Sequence, residues 1–350
     1  MKRTGVVKDE RYMNHDPGAY HPESPRRLEV IYQMLEEDDM KGLLAEITPE
    51  PAPEEHLLWV HTESLVKIVK STAGKPSYSL DPDTSTSPGS YEAALLAVGG
   101  VCKAISLVMN GDLDNAFALI RPPGHHAERA RAMGFCLFNN VAIGARYAQK
   151  QCGVERILII DWDLHHGNGT QHIFEDDPTV LYFSTHQYPY YPGSGSFQEV
   201  GTGKGEGYTV NVPLSAGYGD GEYVAIYQNI LRPIGLEFKP DLVLVSAGFD
   251  IYKGDPLGGM EVTAQGFGAL ARSILDMAQE ACEGKVVLCL EGGYNLQGLR
   301  EGVRAVLRDM ADAEHSDLGH VIQKMNKRAV DNIIEASRKV HGKYWSSLGN

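Results

Sequence analysis

Short apolar runs rich in β-branched residues recur along the chain, separated by stretches with helical periodicity. The runs are Thr4–Val7, Ala116–Ile120, Arg156–Ile160, Val180–Ser184, Tyr208–Val212, Asp241–Ser246 and Lys285–Leu290. ILII at 157–160, LVLV at 242–245 and VVLCL at 286–290 are apolar throughout rather than alternating. Strands covered on both faces read this way. Pro25–Leu35 carries Leu28, Ile31, Met34 and Leu35 on one stripe, and helices are also predicted over Ser90–Met109, Asn139–Gln149, Tyr223–Ile234 and Thr263–Ala281. Apolar residues at 321, 322, 325, 330, 333 and 334 predict one amphipathic C-terminal helix over about 318–340. The alternation predicts a single α/β domain over 1–350, a parallel sheet with helices on both faces. The glycine-rich stretch 193–207 reads as a loop, and its GTGKG lacks the spacing of a phosphate loop.

Polar residues crowd just after the apolar runs. AFALI is followed by RPPGHH, RILII by DWDLHHGNG, LVLVSAGF by Asp250, and VVLCL by EGGYN. Ligands in open α/β sheets bind outside those strand ends, so four clusters point to one crevice. In the first cluster, Asp161, Asp163 and His165 alternate and are expected on one face. Two carboxylates and an imidazole there call for a cation, with zinc favoured and iron or manganese as alternatives. Asp250 is the candidate third ligand, since an unpaired carboxylate ending a buried strand is costly. The stiff RPPG turn places His125 and His126 as a proton-transfer pair. Gly292 and Gly293 allow close backbone approach to a ligand, and Tyr294 can aim its hydroxyl at an oxyanion.

Composition narrows the function. A net charge of −14 disfavours nucleic-acid binding and suits either cationic partners or plain solubility. Five cysteines, an odd number without a CxxC pair, argue against a disulfide framework or a thiolate zinc site. The opening MKRTGVVKDERYMNHD lacks the apolar core of a secretion signal, and no run is expected to span a bilayer. A cytoplasmic location without membrane attachment is therefore expected.

Taken together, RPPGHH, GFCLFNN, DWDLHHGNG, SAGFD, GDPLGG and LEGGYN resemble the motifs of the histone deacetylase family, in the family's order, from about Thr4 to Met310. The forms HHGNG, SAGFD and EGGY are closer to its class II branch. The resemblance implies the arginase/deacetylase fold, with an eight-stranded parallel sheet. It implies one zinc ion on Asp163, His165 and Asp250. His126 becomes the general base and acid, with Asn168 orienting it where class I members have aspartate. His125 becomes the electrostatic partner oriented by Asp161, and Tyr294 polarises the carbonyl. Gly134, Phe135 and Tyr191 would line an acyl-lysine tunnel. Leu257 stands where polyamine-specific relatives carry glutamate, which favours acyl-lysine over acetylpolyamine. Arg27 resembles an arginine near an internal channel, and either Asp81 or Asp83 matches the rim aspartate. Structural potassium is implied at Asp161, Ser184 and Thr185, with the backbone of Asp163 and His165. The activity implied is deacetylation of an acyl-lysine or polyamine substrate. A two-metal ureohydrolase and a silent acyl-lysine binding module are the competing classes, and a homo-oligomer is left open.

Overall fold

The computed structural model describes residues 2–349. Eight strands form one sheet: β1 (Thr4–Val7), β2 (Ala45–Ile47), β5 (Asn115–Ala118), β6 (Ile157–Asp161), β7 (Val180–Gln187), β8 (Thr209–Leu214), β9 (Leu242–Ala247) and β10 (Val286–Leu290). Their order is β2-β1-β5-β10-β9-β6-β7-β8, and every neighbouring pair is parallel. A separate antiparallel hairpin pairs β3 (Tyr78–Asp81) with β4 (Thr84–Thr86). The expected single α/β domain with an eight-stranded parallel sheet is what the chain forms. The central strands β5, β6, β9 and β10 are buried at every position, as continuous apolar runs require. Those four are neighbours in the sheet, so their carboxyl ends open side by side.

Helices cover the sheet, and several begin at side-chain caps. Asn139 accepts from the Ala142 N–H and starts the helix Asn140–Gln151, while Thr263 starts Ala264–Cys282. Asn295 caps a helix that the pattern did not predict, Leu296–Met310, which buries Leu299, Val303, Val306 and Leu307 and packs on Ala264–Cys282. The short strand β2 and the helix Glu63–Lys70 were also not predicted.

Three expectations change. The segment expected as a helix over 223–234 is Asp220–Ile226, a wider π turn at Tyr227–Leu231, and then Arg232–Phe238. Pro233 has no N–H to give to a regular turn, and the wider turn absorbs the break. The helix expected over 318–340 is two, Leu318–Ile322 and Lys327–His341. Asn326 caps the second by accepting from Ala329 N–H, so it cannot continue the first. The helix Ser90–Met109 is long and apolar enough to cross a membrane, contrary to the expectation that no run is. Two thirds of its apolar stretch is buried inside the protein, against the sheet and the helix Asn140–Gln151.

Three buried histidines tie this fold to pH. His61 donates from Nδ1 to the Glu128 carbonyl and accepts at Nε2 from the Asn139 N–H, which fixes it neutral. His186 lies between Ser184 and the Gly195 carbonyl. His341 is fully buried with neither ring nitrogen bonded. Burial pushes each down to about 4. The unfolded chain, with histidine near 6.5, binds the proton first, so each group costs stability as pH falls from about 6.5 toward 4. His341→Leu removes one such group. Relative to the native chain it should gain about 2 kcal/mol between pH 7.5 and pH 5. Denaturant melts of both proteins at the two pH values measure this, and an equal loss in both would contradict it.

Candidate active site

The loops after β6 and β9 bring three side chains together. Asp163, His165 and Asp250 each offer one ligand atom, all within 4.8 Å of one another. Among the described residues this is the only cluster of three or more His, Cys, Asp or Glu that meets that condition. His165 Nδ1 lies 3.2 Å from Asp163 Oδ1 and 3.1 Å from Asp250 Oδ2. Backbone donors fix both carboxylates. Asp163 accepts from the N–H groups of His165 (2.9 Å) and Gly292 (2.8 Å), and Asp250 from that of Leu164 (2.8 Å). Burial, then the neighbouring Asp163 charge, raises Asp250 to about 7. Burial opposes charge on His165, but the two carboxylates outweigh it and raise His165 to about 9. Two carboxylate oxygens and one imidazole nitrogen suit a divalent ion with an open position.

Asp161 is not part of this group. β6 ends at Asp161, so the alternation that would have aligned it with 163 and 165 stops there. Its carboxylate accepts from His125 Nδ1 (3.0 Å), the Tyr182 hydroxyl (3.1 Å) and the Asp163 N–H (3.1 Å). Burial disfavours charge on His125, yet Asp161 and then Asp163 raise it to about 10. His126 goes the other way. Burial first, then the charges of His125 and His165, hold it well below the usual histidine range. Its Nδ1 lies 2.7 Å from Asn168 Oδ1, and the two histidine rings are 4.0 Å apart. Adjacent groups driven apart in this way make a charged partner and a neutral base.

Tyr294 is held by its own backbone. Asp255 accepts from the N–H groups of Tyr294 (2.7 Å) and Asn295 (2.8 Å) with one oxygen and from Leu257 with the other. Arg27 is fully buried, donates to the Gly293 carbonyl at 2.7 Å and stands 5.1 Å from the Tyr294 ring. A pocket of about 150 Å³ runs down to His125, His126, His165 and Tyr294. Gly134, Phe135, Tyr191, Leu257 and Gly292 line it. The hairpin β3–β4 braces this wall, since Gly134 and Phe135 donate to Asp83 and Thr84. Gly134 sits at φ +58°, and a Cβ there would meet the His126 ring. Asp83 lines the pocket, while Asp81 pairs with Arg131. Ser184 and Asp161 are partners across β6 and β7. The hydroxyl of Ser184 lies 2.8 Å from His186 Nδ1, and that of Thr185 lies 3.3 Å from the Tyr227 hydroxyl.

Asp255 and Glu291 were present in the quoted motifs without an assigned role. Glu291 accepts from the N–H groups of Gly124 (2.6 Å) and His125 (3.2 Å), tying the histidine turn to β10. Burial raises Glu291 to about 7. The only sequence signal was an acid beside glycine or proline, at a strand end for Glu291 and in the GDPLGG loop for Asp255.

Fold and pocket together define a hydrolase-type α/β site at the carboxyl edge of a parallel sheet. A histone deacetylase domain model matches residues 21–310, and the chain belongs to the histone deacetylase family. It is a deacetylase, and so a hydrolase. It is 40% identical to a probable deacetylase of Archaeoglobus fulgidus, with 98% of each chain covered. It is 40% identical to histone deacetylase 5 of Arabidopsis thaliana, over all of this chain but 55% of that protein. The chain thus spans about half the length of the plant relative. It superposes on the solved HD domain of HDA15 with a TM-score of 0.92 and 38% identity, covering 99% of this chain and 96% of that one.

Gly292 offers a direct test of the triad. A Cβ there would stand 2.6 Å from Asp163 Oδ2 and closer still to Asp250 Oδ2. Gly292→Ala should therefore displace both carboxylates and reduce bound divalent metal to well below one equivalent, with the thermal melt remaining cooperative. Metal analysis of the purified variant checks this, and a full equivalent would remove the crowding argument.

Proposed function

We propose that the chain is a zinc-dependent amidohydrolase that removes acetyl or other acyl groups from lysine-type side-chain amines. The convergence of Asp163, His165 and Asp250 at the base of a narrow pocket, beside a neutral His126 and Tyr294, carries this reading. The fit to a divalent ion rests on the donor set. Three ligand atoms lie within 4.8 Å, and Asp250 stays near 7 because its neighbours do not fully compensate its charge. When bound there, zinc supplies Lewis acidity that acidifies water and polarises an acyl oxygen.

The chain's own groups supply the rest. His126 carries its proton on Nδ1, bonded to Asn168, so Nε2 is free to accept a proton from water and return it to the leaving amine. The Tyr294 hydroxyl donates to the oxyanion as it forms. His125, kept charged by Asp161, adds positive potential where negative charge develops. Gly134, Phe135 and Tyr191 exclude water along the aliphatic stem, and Asp83 at the rim accepts from the substrate backbone. Leu257 in the wall supports an acyl-lysine chain, since an uncharged side chain offers a polyamine's second cation no partner.

We also propose potassium beside Asp161. The main-chain carbonyls of Asp161, Asp163, His165 and Thr185 and the Ser184 hydroxyl would form its shell. The five free cysteines support a reducing, cytoplasmic setting.

The decisive assay follows turnover of acetyl-lysine peptides and acetylspermidine by the zinc-loaded chain. The peptides should be cleaved preferentially, and chelation should abolish activity until zinc is restored. Preference for acetylspermidine would move the substrate to polyamines, and zinc-loaded protein without turnover would point to a binding module. Tyr294→Phe should lower kcat by ~10²–10³ if its hydroxyl is an oxyanion donor. Near-normal turnover would take Tyr294 out of the mechanism.

A further inference from the structure

Behind His126 lies a chain of hydrogen bonds that runs past Asn168 to Glu128 and His172, two residues outside the quoted motifs. His126 Nδ1 is 2.7 Å from Asn168 Oδ1. The other end of that amide, Nδ2, donates to Glu128 Oε1 at 2.5 Å. The same oxygen accepts from His172 Nδ1 at 2.8 Å. Asn168 is buried, whereas the Glu128 side chain is 22% exposed and that of His172 is 44% exposed.

We propose that Glu128 is a positioning residue that sets the tautomer of His126 through Asn168. This rests on His126 being the base of the proposed hydrolysis. An ionised carboxylate only accepts hydrogen bonds. Glu128 therefore requires the NH₂ end of the Asn168 amide, which turns the amide oxygen toward His126. That oxygen only accepts as well, so His126 Nδ1 must carry the proton and Nε2 is left with its lone pair in the pocket. Without the carboxylate, the amide can rotate by half a turn and present its NH₂ end, which selects the unproductive tautomer. The Asn168 amide does not gain or lose a proton at ordinary pH, so the chain transmits orientation rather than protons. The hydrogen bond to a charged acceptor is also the stronger kind, so the selection is firm. Exposure screens the direct effect of the Glu128 charge on His126, which leaves orientation as the main route.

Glu128→Gln keeps the shape but can donate or accept, and it tests this directly. Its kcat on an acetyl-lysine peptide should fall on the order of 10-fold with KM unchanged, as supporting groups around catalytic sites commonly show. The thermal midpoint should stay close to that of the native chain. Asn168→Asp supplies the second control, because it places two carboxylates in contact. In that background Glu128→Gln should raise kcat rather than lower it. A kcat within twofold of the native chain, or the same loss in both backgrounds, would overturn the proposal while leaving the hydrolase reading intact. If the native chain cleaves no acyl amide, the hydrolase reading fails, and ¹⁵N-histidine NMR decides the positioning role instead. His126 should be Nδ1-protonated in the native chain and mixed in Glu128→Gln. An unchanged tautomer would sink the idea.

Discussion

Negative charge buried at the centre of the sheet is the constraint around which this molecule is organised. Asp161, Asp163, Asp250 and Glu291 are all buried, and all stand at the carboxyl ends of neighbouring strands. An uncompensated carboxylate in such a place costs several kcal/mol. The chain meets part of that cost with its own groups. Asp161 has His125 and a tyrosine hydroxyl, and Asp163 has His165 and two backbone donors. Asp250 and Glu291 remain near 7, so compensation from within the chain is incomplete. A divalent cation at the triad is the simplest supply of the missing charge, and this electrostatic argument supports the zinc proposal.

Holding such a cluster in place requires restraints from distant parts of the chain. Glu23 is the far anchor. It is fully buried, paired with Arg121 and Arg27, and 3.3 Å from His15 Nε2. Arg121 begins the histidine turn after β5, and Arg27 reaches the glycine loop after β10. One carboxylate thereby links the two loops that carry His126 and Tyr294. Cutting a buried pair of this kind leaves a lone charge, which costs more than the intact pair contributes. The anchoring is therefore rigid for the same reason that the site is costly.

The core strands and the convergence of Asp163, His165 and Asp250 were legible from sequence because both signals sit at strand ends. A run such as LVLV can only be covered on both faces, and an acid that ends it has few structural uses. The eight-strand count came from the family resemblance, since β2 has three residues with two exposed and carries no apolar pattern. The helix Leu296–Met310 was hidden behind the polar EGGYN loop that caps it. The break in the C-terminal helix depends on Asn326 and on the close approach of Gly221 to the Met325 backbone, and periodicity cannot register a tertiary contact. Alternation grouped Asp161 with 163 and 165 for a related reason, whereas the resemblance paired it with His125, where its hydrogen bond lies. Alternation is a property of strands, and the strand ends at that residue.

The two histidines show how one turn produces opposite protonation states. Both are buried and adjacent, so desolvation alone would make both neutral. What separates them is the atom that each Nδ1 meets. His125 meets a carboxylate directly, and its positive charge is matched at 3.0 Å. His126 meets an amide oxygen, which fixes the proton's position but adds no full negative charge. The positive neighbour at 4.0 Å then works against a second charge. An aspartate at 168 would shift that balance toward a charged His126, raising its basicity but leaving less of the ring neutral and able to accept a proton. Asparagine there keeps the ring neutral, and its orientation becomes the property that the surrounding residues have to supply.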